Sequence, residues 1–406
     1  MFQSKSRTSL TNKKTLLFGL ISVFLCGMGF SIIMPVVPFL VTPYVTNASD
    51  QALMVTLLTS VYAFCVFFAA PGLGALSDRF GRRPVLLICF IGSAIGYFIF
   101  GLGGALWVLF LGRIIEGITG GSISTLFAFF ADIIPQEERT KYFGWVSAAV
   151  GAGAALGPAF GGLLAHFGYA MPFFFGATIT FINFLFGYFY MPESLDDANR
   201  LKRIPLMRLN PFSQLLNILT IKNLGRLLIA AFFIWVPNGS LQAVMSQFAI
   251  DSFSWKPALI GMMFSIMGIQ DILSQAFVMP KLLIRLTDKQ IAVLGMIAEI
   301  IGYSLIATSS IFTLAPLLVI GMFVFGFGDS IFGPSFNGMV SKAASASEQG
   351  RIQGGSQAIQ SLARIIGPII GGQIYITLGH AAPAIMGVLL ITVAIFILYK
   401  KTSLAK

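Results

Sequence analysis

Twelve apolar runs, each long enough to cross a lipid bilayer, organise this 406-residue chain. A hydrocarbon core of about 30 Å takes roughly 20 apolar residues in a helix. The runs lie at about 15–40, 52–72, 84–105, 107–131, 141–165, 170–191, 226–250, 257–280, 290–309, 312–336, 351–376 and 382–399. An even number puts both termini on one side. Only 10% of the residues are charged and 56% are hydrophobic, against about 25% charged in a soluble domain. The expected fold class is therefore all-α integral membrane, with twelve transmembrane helices. The 43 glycines fit it, since small residues let neighbouring helices approach closely.

The basic residues set the orientation. With the N-terminus inside, 23 of the 26 Lys and Arg fall in cytoplasmic stretches, which is the positive-inside pattern. Arg113 and Arg364 lie within spans, and Lys256 alone is left outside. The net charge of +11 is spread over short loops and makes no continuous basic face, which excludes a nucleic-acid partner. Cys26, Cys65 and Cys89 each sit in an apolar run and read as small buried hydrophobes. The first run reads as a span, since no small-residue cleavage site follows a short core. The most polar stretch divides the chain into an N-terminal six-helix bundle at 1–191, a cytoplasmic linker at 192–225 and a C-terminal six-helix bundle at 226–406. A short amphipathic surface helix is expected in the linker.

The halves repeat. Gly157-Pro158-Ala159-Phe160-Gly161-Gly162 in span 5 matches Gly367-Pro368-Ile369-Ile370-Gly371-Gly372 in span 11. Charged turns precede both, at Glu137-Glu138-Arg139 and Glu348-Gln349-Gly350-Arg351. Internal duplication into two pseudo-symmetric bundles is the layout of secondary transporters. Gly153, Gly157 and Gly161 recur every four residues on one helical stripe, and Pro158 removes a backbone hydrogen bond and can bend the helix. The stripe reads first as plain close packing of helices, and beside that as a close, bendable contact between helices of the two halves.

Six ionisable groups lie at membrane depth: Arg113, Glu116, Asp271, Glu299, Asp329 and Arg364. Charge there is costly and faces a partner or a cavity. Arg113 and Glu116 are three apart and can share a helix face. They read either as a fixed pair or as a protonatable carboxylate tuned by a guanidinium. Asn238, Gln242 and Gln247 in span 7 are candidates for a substrate cavity. The two histidines, His166 and His380, lie near span ends, and no metal-ligand cluster is apparent. The absence of a Gly-x-x-x-x-Gly-Lys-Ser/Thr string argues against direct ATP drive.

One charged turn carries the most specific motif: Gly74-Ala75-Leu76-Ser77-Asp78-Arg79-Phe80-Gly81-Arg82-Arg83-Pro84. Gly74 and Gly81 are expected to let span 2 end and the chain reverse, and Pro84 to open span 3. With Met34-Pro35-Val36-Val37-Pro38, Leu111-Gly112-Arg113 through Gly117, and Gly151 through Gly162, it resembles the motif series of the major facilitator superfamily. Within that family the chain is similar to the twelve-helix drug/proton antiporters. Phe143-Gly144-Trp145 and Gln275-Ala276-Phe277-Val278 resemble the tetracycline exporters.

The resemblance implies a cytoplasmic gate in which Asp78, Arg82 and Asp132 latch against the start of span 11. It places Asp271 where tetracycline exporters carry a proton-coupling histidine, and Glu299 at an acidic family position. Asp329 corresponds to an acid kept nearby in other multidrug antiporters. Proton coupling is thus expected of Asp271, Glu116, Asp329 and Glu299, with Arg113 and Arg364 as charge partners. A fixed ion pair is the rival reading for each. Two departures bear on substrate: acids that tetracycline exporters carry in spans 1 and 3 are Cys26 and Gly96 here. The expected function is proton-coupled efflux of a lipophilic small molecule by a monomer in a bacterial cytoplasmic membrane, with the proton gradient as energy source and no cofactor. A nutrient symporter or lipid flippase of the same superfamily is the alternative, and an intramembrane enzyme a remote one.

Overall fold

The computed structural model describes residues 13–134, 139–202, 204, 210–212, 224–342 and 349–399. Among them the chain is helical with no strand. Fifteen α-helices build the spans: α1 Lys13–Ile32, α2 Val37–Val41, α3 Ala48–Phe80, α4 Arg82–Leu102, α5 Leu106–Gly120, α6 Ser122–Ile133, α7 Arg139–Leu164, α8 Met171–Tyr190, α9 Leu224–Phe253, α10 Pro257–Leu273, α11 Met279–Arg285, α12 Asp288–Ile311, α13 Ala315–Lys342, α14 Gln349–Leu378 and α15 Ala382–Tyr399. Eleven described stretches are apolar and long enough to cross a membrane, and Ala382–Leu398 is a slightly shorter twelfth.

Four expected spans differ in detail. Span 1 is not continuous to residue 40: α1 stops at Ile32, and a turn at 33–36 containing Pro35 leads into α2, because proline cannot donate to the helical ladder. Span 4 is broken between α5 and α6, at Gly121. Span 8 passes from α10 through a π-helical segment, Ser274–Val278, into α11. The largest correction concerns the charged turn. Helix α3 runs through Gly74, Ser77 and Asp78 to Phe80, so Gly74 terminates nothing. The reversal is confined to Gly81, whose φ of 101° suits only glycine.

Two compact units emerge. The first comprises residues 1–44, 61–211 and 256–268, and the second 45–60, 212–255 and 269–406. Helix α3 thus begins in the second unit and continues in the first, and α10 does the reverse. In the first unit α1 packs on α7, α4 on α5, and α4 on α8. In the second, α9 packs on α14, α12 on α13, and α12 on α15. Spans 1, 3, 4, 5 and 6 of the first half and spans 7, 9, 10, 11 and 12 of the second thus repeat one packing pattern. A core of Phe18, Val23, Leu86, Phe90, Leu126, Phe129 and Phe130 fills the first unit.

The span 5 stripe makes the close helix packing expected of it, but within the first unit and not as a contact between the halves. Gly153, Gly157 and Gly161 lie against α1: a Cβ on Gly153 would meet Phe24 and Met28, one on Gly157 would sit 2.7 Å from Met28 O, and one on Gly161 would overlap Ile32. The span 11 stripe does the same in the second unit, Gly367 against Val236 and Ser240 and Gly371 against Ser240, all on α9. The neighbouring face of α7 meets residues 256–268 of the first unit. There Gly261 abuts Pro158, Gly268 abuts Ala155, and Ala159 donates its N–H to Ser265 Oγ at 2.8 Å. Gly157→Val should cost about 1–3 kcal/mol or more through overpacking, read as a lower melting temperature in detergent. Gly151, with open space around its Cβ position, should accept Ala with a gain of up to about 1 kcal/mol.

The linker residues 203, 205–209 and 213–223, where the surface helix was expected, and the charged residues Glu137, Glu138 and Glu348 lie outside the described residues.

Candidate functional site

The charge cluster forms where α3, α4 and α6 meet. Asp78 and Arg82 flank the Gly81 reversal, and Arg82 Nη1 donates to Asp78 Oδ1 at 2.7 Å and to Ser77 Oγ at 2.6 Å. Arg82 Nε donates to Asp132 Oδ2 at 3.1 Å. The Arg82 side chain is only 10% exposed, so each of these charge-assisted bonds is partly desolvated. The gate reading points to the start of span 11, whose side chains at 351–355, like residues 343–348 before it, lie outside the described set.

Sequence reasoning missed what holds this cluster in place. Glu193, just past α8, accepts the backbone N–H of Arg82 at 2.8 Å and of Arg83 at 3.2 Å. A carboxylate at a helix N-terminus satisfies otherwise orphaned donors and complements the helix dipole. Ser194 Oγ donates to Asp132 Oδ2 at 3.1 Å, and Leu201 N–H to Asp78 O at 2.9 Å. Arg83 donates to Tyr188 O at 2.6 Å. The string Met191-Pro192-Glu193-Ser194, an acid just after a helix, was the available signal.

Arg113 and Glu116 form a buried pair on α5 at 2.6 Å, with side chains 5% and 3% exposed. The guanidinium also lies over the rings of Phe100 (4.8 Å) and Tyr62 (5.4 Å). Gly96 explains one departure from the tetracycline exporters. A Cβ there would sit 2.9 Å from Glu116 N and 3.0 Å from Gly112 O, so the α4–α5 crossing leaves no room for a side chain. Cys26 faces Ser122 at 4.0 Å.

The second unit gathers the remaining acids. Asp271, on the last turn of α10, accepts from Gln275 Nε2 at 2.8 Å, immediately beside the π-helical segment. Such segments cluster at functional sites. Asp329 on α13 accepts from Asn238 Nδ2 at 3.1 Å, and Tyr303 OH donates to Asn238 Oδ1 at 2.9 Å. Glu299 is fully buried between α12 and α13, and neither of its carboxylate oxygens has a hydrogen-bond partner among the described residues.

Of the three amides expected to line a cavity, Gln242 is exposed. The other two are committed to the protein. Asn238 uses both ends of its amide on Tyr303 and Asp329. Gln247 is fully buried and donates to Gln51 Oε1 at 3.1 Å and Asp251 Oδ1 at 2.8 Å.

The sequence model of the Major Facilitator Superfamily matches residues 19–236 and again 227–405. The chain belongs to the major facilitator superfamily. Among its superfamily relatives, the class C tetracycline resistance protein of Escherichia coli is 35% identical over 354 residues, 87% of this chain and 88% of the relative. Multidrug resistance protein 2 of Bacillus subtilis is 28% identical over 380 residues, 91% of each. Among solved structures, a D-xylose-proton symporter superposes with a TM-score of 0.75 at 17% identity, covering 95% of this chain and 97% of that one. The human organic anion transporter MFSD10 gives 0.73 at 21% identity, covering 95% and 99%.

Proposed function

We propose that this chain exports lipophilic drugs across a bacterial cytoplasmic membrane in exchange for protons, by alternating access. One observation carries the reading most directly. Three carboxylates of the second unit, Asp271, Asp329 and Glu299, lie at membrane depth against one membrane-depth guanidinium, Arg364, and Asn238 ties Asp329 to Tyr303. Such an excess of acid is costly in a membrane and is relieved when protons bind. Asp271 is assigned the leading role, since it alone adjoins the π-helical segment and follows closely on the α10 glycine that packs against α7. Asp329 and Glu299 contribute, and Glu116 does so if its pair with Arg113 opens. The relatives' names, tetracycline and multidrug resistance, support drugs as the substrate class. Cys26 and Gly96 argue for a drug range other than tetracycline itself. Asp78, Arg82 and Asp132 form the cytoplasmic gate, and both termini lie inside. No resident cofactor is needed, since the gradient supplies the energy.

Everted membrane vesicles test the reading. An acid-inside gradient should drive accumulation of a fluorescent lipophilic drug, and a protonophore should discharge it. Substrate-stimulated ATP hydrolysis by the purified protein, or accumulation indifferent to the protonophore, would refute it.

A further inference from the structure

We infer that Tyr303, Asn238 and Asp329 form a reversible hydrogen-bond relay. When Asp329 takes a proton, the Asn238 amide turns end for end and the Tyr303 hydroxyl changes from donor to acceptor. The relay deepens the proposed proton-exchange reading and rests on it for its role in transport.

The three residues come from α12, α9 and α13, all within the second unit. Tyr303 OH donates to Asn238 Oδ1 at 2.9 Å, and Asn238 Nδ2 donates to Asp329 Oδ1 at 3.1 Å. Exposure falls along the series. Asp329, midway along α13, is exposed, Asn238 is half-buried and Tyr303 is completely buried. The phenol ring is held fast. A Cβ on Gly387 of α15 would sit 2.7 Å from it, and Phe325 of α13 meets it edge-on with centroids 5.1 Å apart. Only its hydroxyl hydrogen is free to move. The amide needs no extra space, since half a turn about its last torsion exchanges oxygen for nitrogen at almost the same shape.

Donors and acceptors define two states. Ionised Asp329 only accepts, so the amide must present Nδ2 to it and Oδ1 to Tyr303. That is the arrangement in the structure. Protonated Asp329 carries an O–H donor. It donates to Oδ1 of the turned amide, and Nδ2 then donates to the Tyr303 oxygen. Both contacts survive in both states, so gain or loss of the proton orphans neither end of the amide. A hydroxyl meets this need because it both donates and accepts, whereas phenylalanine would leave one end of the amide unpaired in each state. Tyr303 is therefore a positioning residue that acts on Asp329 through Asn238.

The neighbours supply the remaining acceptor. Glu299 lies four residues before Tyr303 on α12, on the same helix face. It is completely buried, and neither carboxylate oxygen has a hydrogen-bond partner among the described residues. It can take the Tyr303 hydroxyl hydrogen once the phenol oxygen accepts from the amide. The other ionisable groups at this depth are Arg364 on α14, which packs on α13, and Asp271 just before the π-helical segment, which also packs on α13. Helix α9 carries ionisable groups only toward its ends, at Arg226 and Asp251.

Infrared difference spectroscopy of the purified full chain on acidification, with the tyrosine rings isotopically labelled, tests the relay. The phenol C–O band reports whether the hydroxyl donates or accepts. The parent should show a tyrosine band moving together with a carboxylic acid band. That tyrosine change should vanish in Tyr303→Phe and in Asp329→Asn. Absence of the change in the parent, or its persistence in Asp329→Asn, would overturn the relay. Asn238→Ser interrupts the path without touching the ring packing, should abolish the change too, and replaces Tyr303→Phe if that variant does not fold. In everted vesicles, Tyr303→Phe should lower gradient-driven drug accumulation about tenfold, the effect of orphaning one buried polar group, while drug–drug exchange without a gradient stays within a few-fold. Full accumulation by folded Tyr303→Phe protein would overturn the role of the relay in transport. A parent that moves no drug against a gradient would refute the transport reading instead, and the infrared bands would still decide the relay.

Discussion

Asp271→Asn should collapse gradient-driven drug accumulation to simple equilibration while leaving drug binding within a few-fold of the parent. A pH gradient of about two units, exchanged one proton for one neutral drug molecule, sustains roughly a 100-fold drug gradient, since each unit is worth about 1.4 kcal/mol and a factor of ten. A chain that cannot exchange the proton sustains none of it. The substitution isolates that step. Asn has the shape of Asp and keeps an oxygen able to accept the 2.8 Å bond from Gln275, so α10 and the π-helical segment keep their local support. Vesicle accumulation with and without the gradient measures the first quantity, and equilibrium binding to detergent-purified protein the second. Retention of the full gradient-driven level would remove Asp271 from its assigned role and move it to Asp329 or Glu299.

Arg113→Ala should be the most damaging single change to stability. It leaves the Glu116 carboxylate buried at 3% exposure without its counter-charge, and breaking a buried pair from one side costs about 3–5 kcal/mol. Loss of the guanidinium between Phe100 and Tyr62 adds roughly 0.5–2 kcal/mol. The double variant Arg113→Met with Glu116→Leu removes both charges at similar volume and should recover most of the loss, since apolar replacement of a buried pair is often neutral or better. Thermal unfolding in detergent measures the cycle. Transport by the double variant then separates the two readings of Glu116. A stable double variant that still builds a drug gradient makes the pair structural, and one that is stable but inactive makes Glu116 a proton carrier.

Features set by local spacing are legible in the sequence. The spans follow from the length and apolarity of each run. The Asp78–Arg82 and Arg113–Glu116 pairs follow from spacings of four and three on a helix, and both form. The packing symmetry of α1 on α7 and α9 on α14 follows from the paired Gly-Pro strings. What needed a distant partner was not legible. Glu193 caps α4 from 111 residues away. Nothing in the span 7 string distinguishes Asn238, which is occupied by Tyr303 and Asp329, from Gln242, which is exposed.

Twelve membrane spans, duplicated halves and the residue types that carry charge into the apolar layer are all legible in the amino-acid sequence. These are properties of composition and of neighbours within one or two helical turns. Which helix meets which is legible in the folded chain alone. The tertiary structure turned the glycine stripe of α7 toward α1, ended α3 at Gly81, and tied Gln247 to Gln51 across 196 residues. The physical reason is that helix formation is local, whereas contacts between helices in an apolar solvent depend on close van der Waals fit and on hydrogen bonds between distant side chains. A glycine stripe announces that some backbone will come close, and the packed fold alone determines which one.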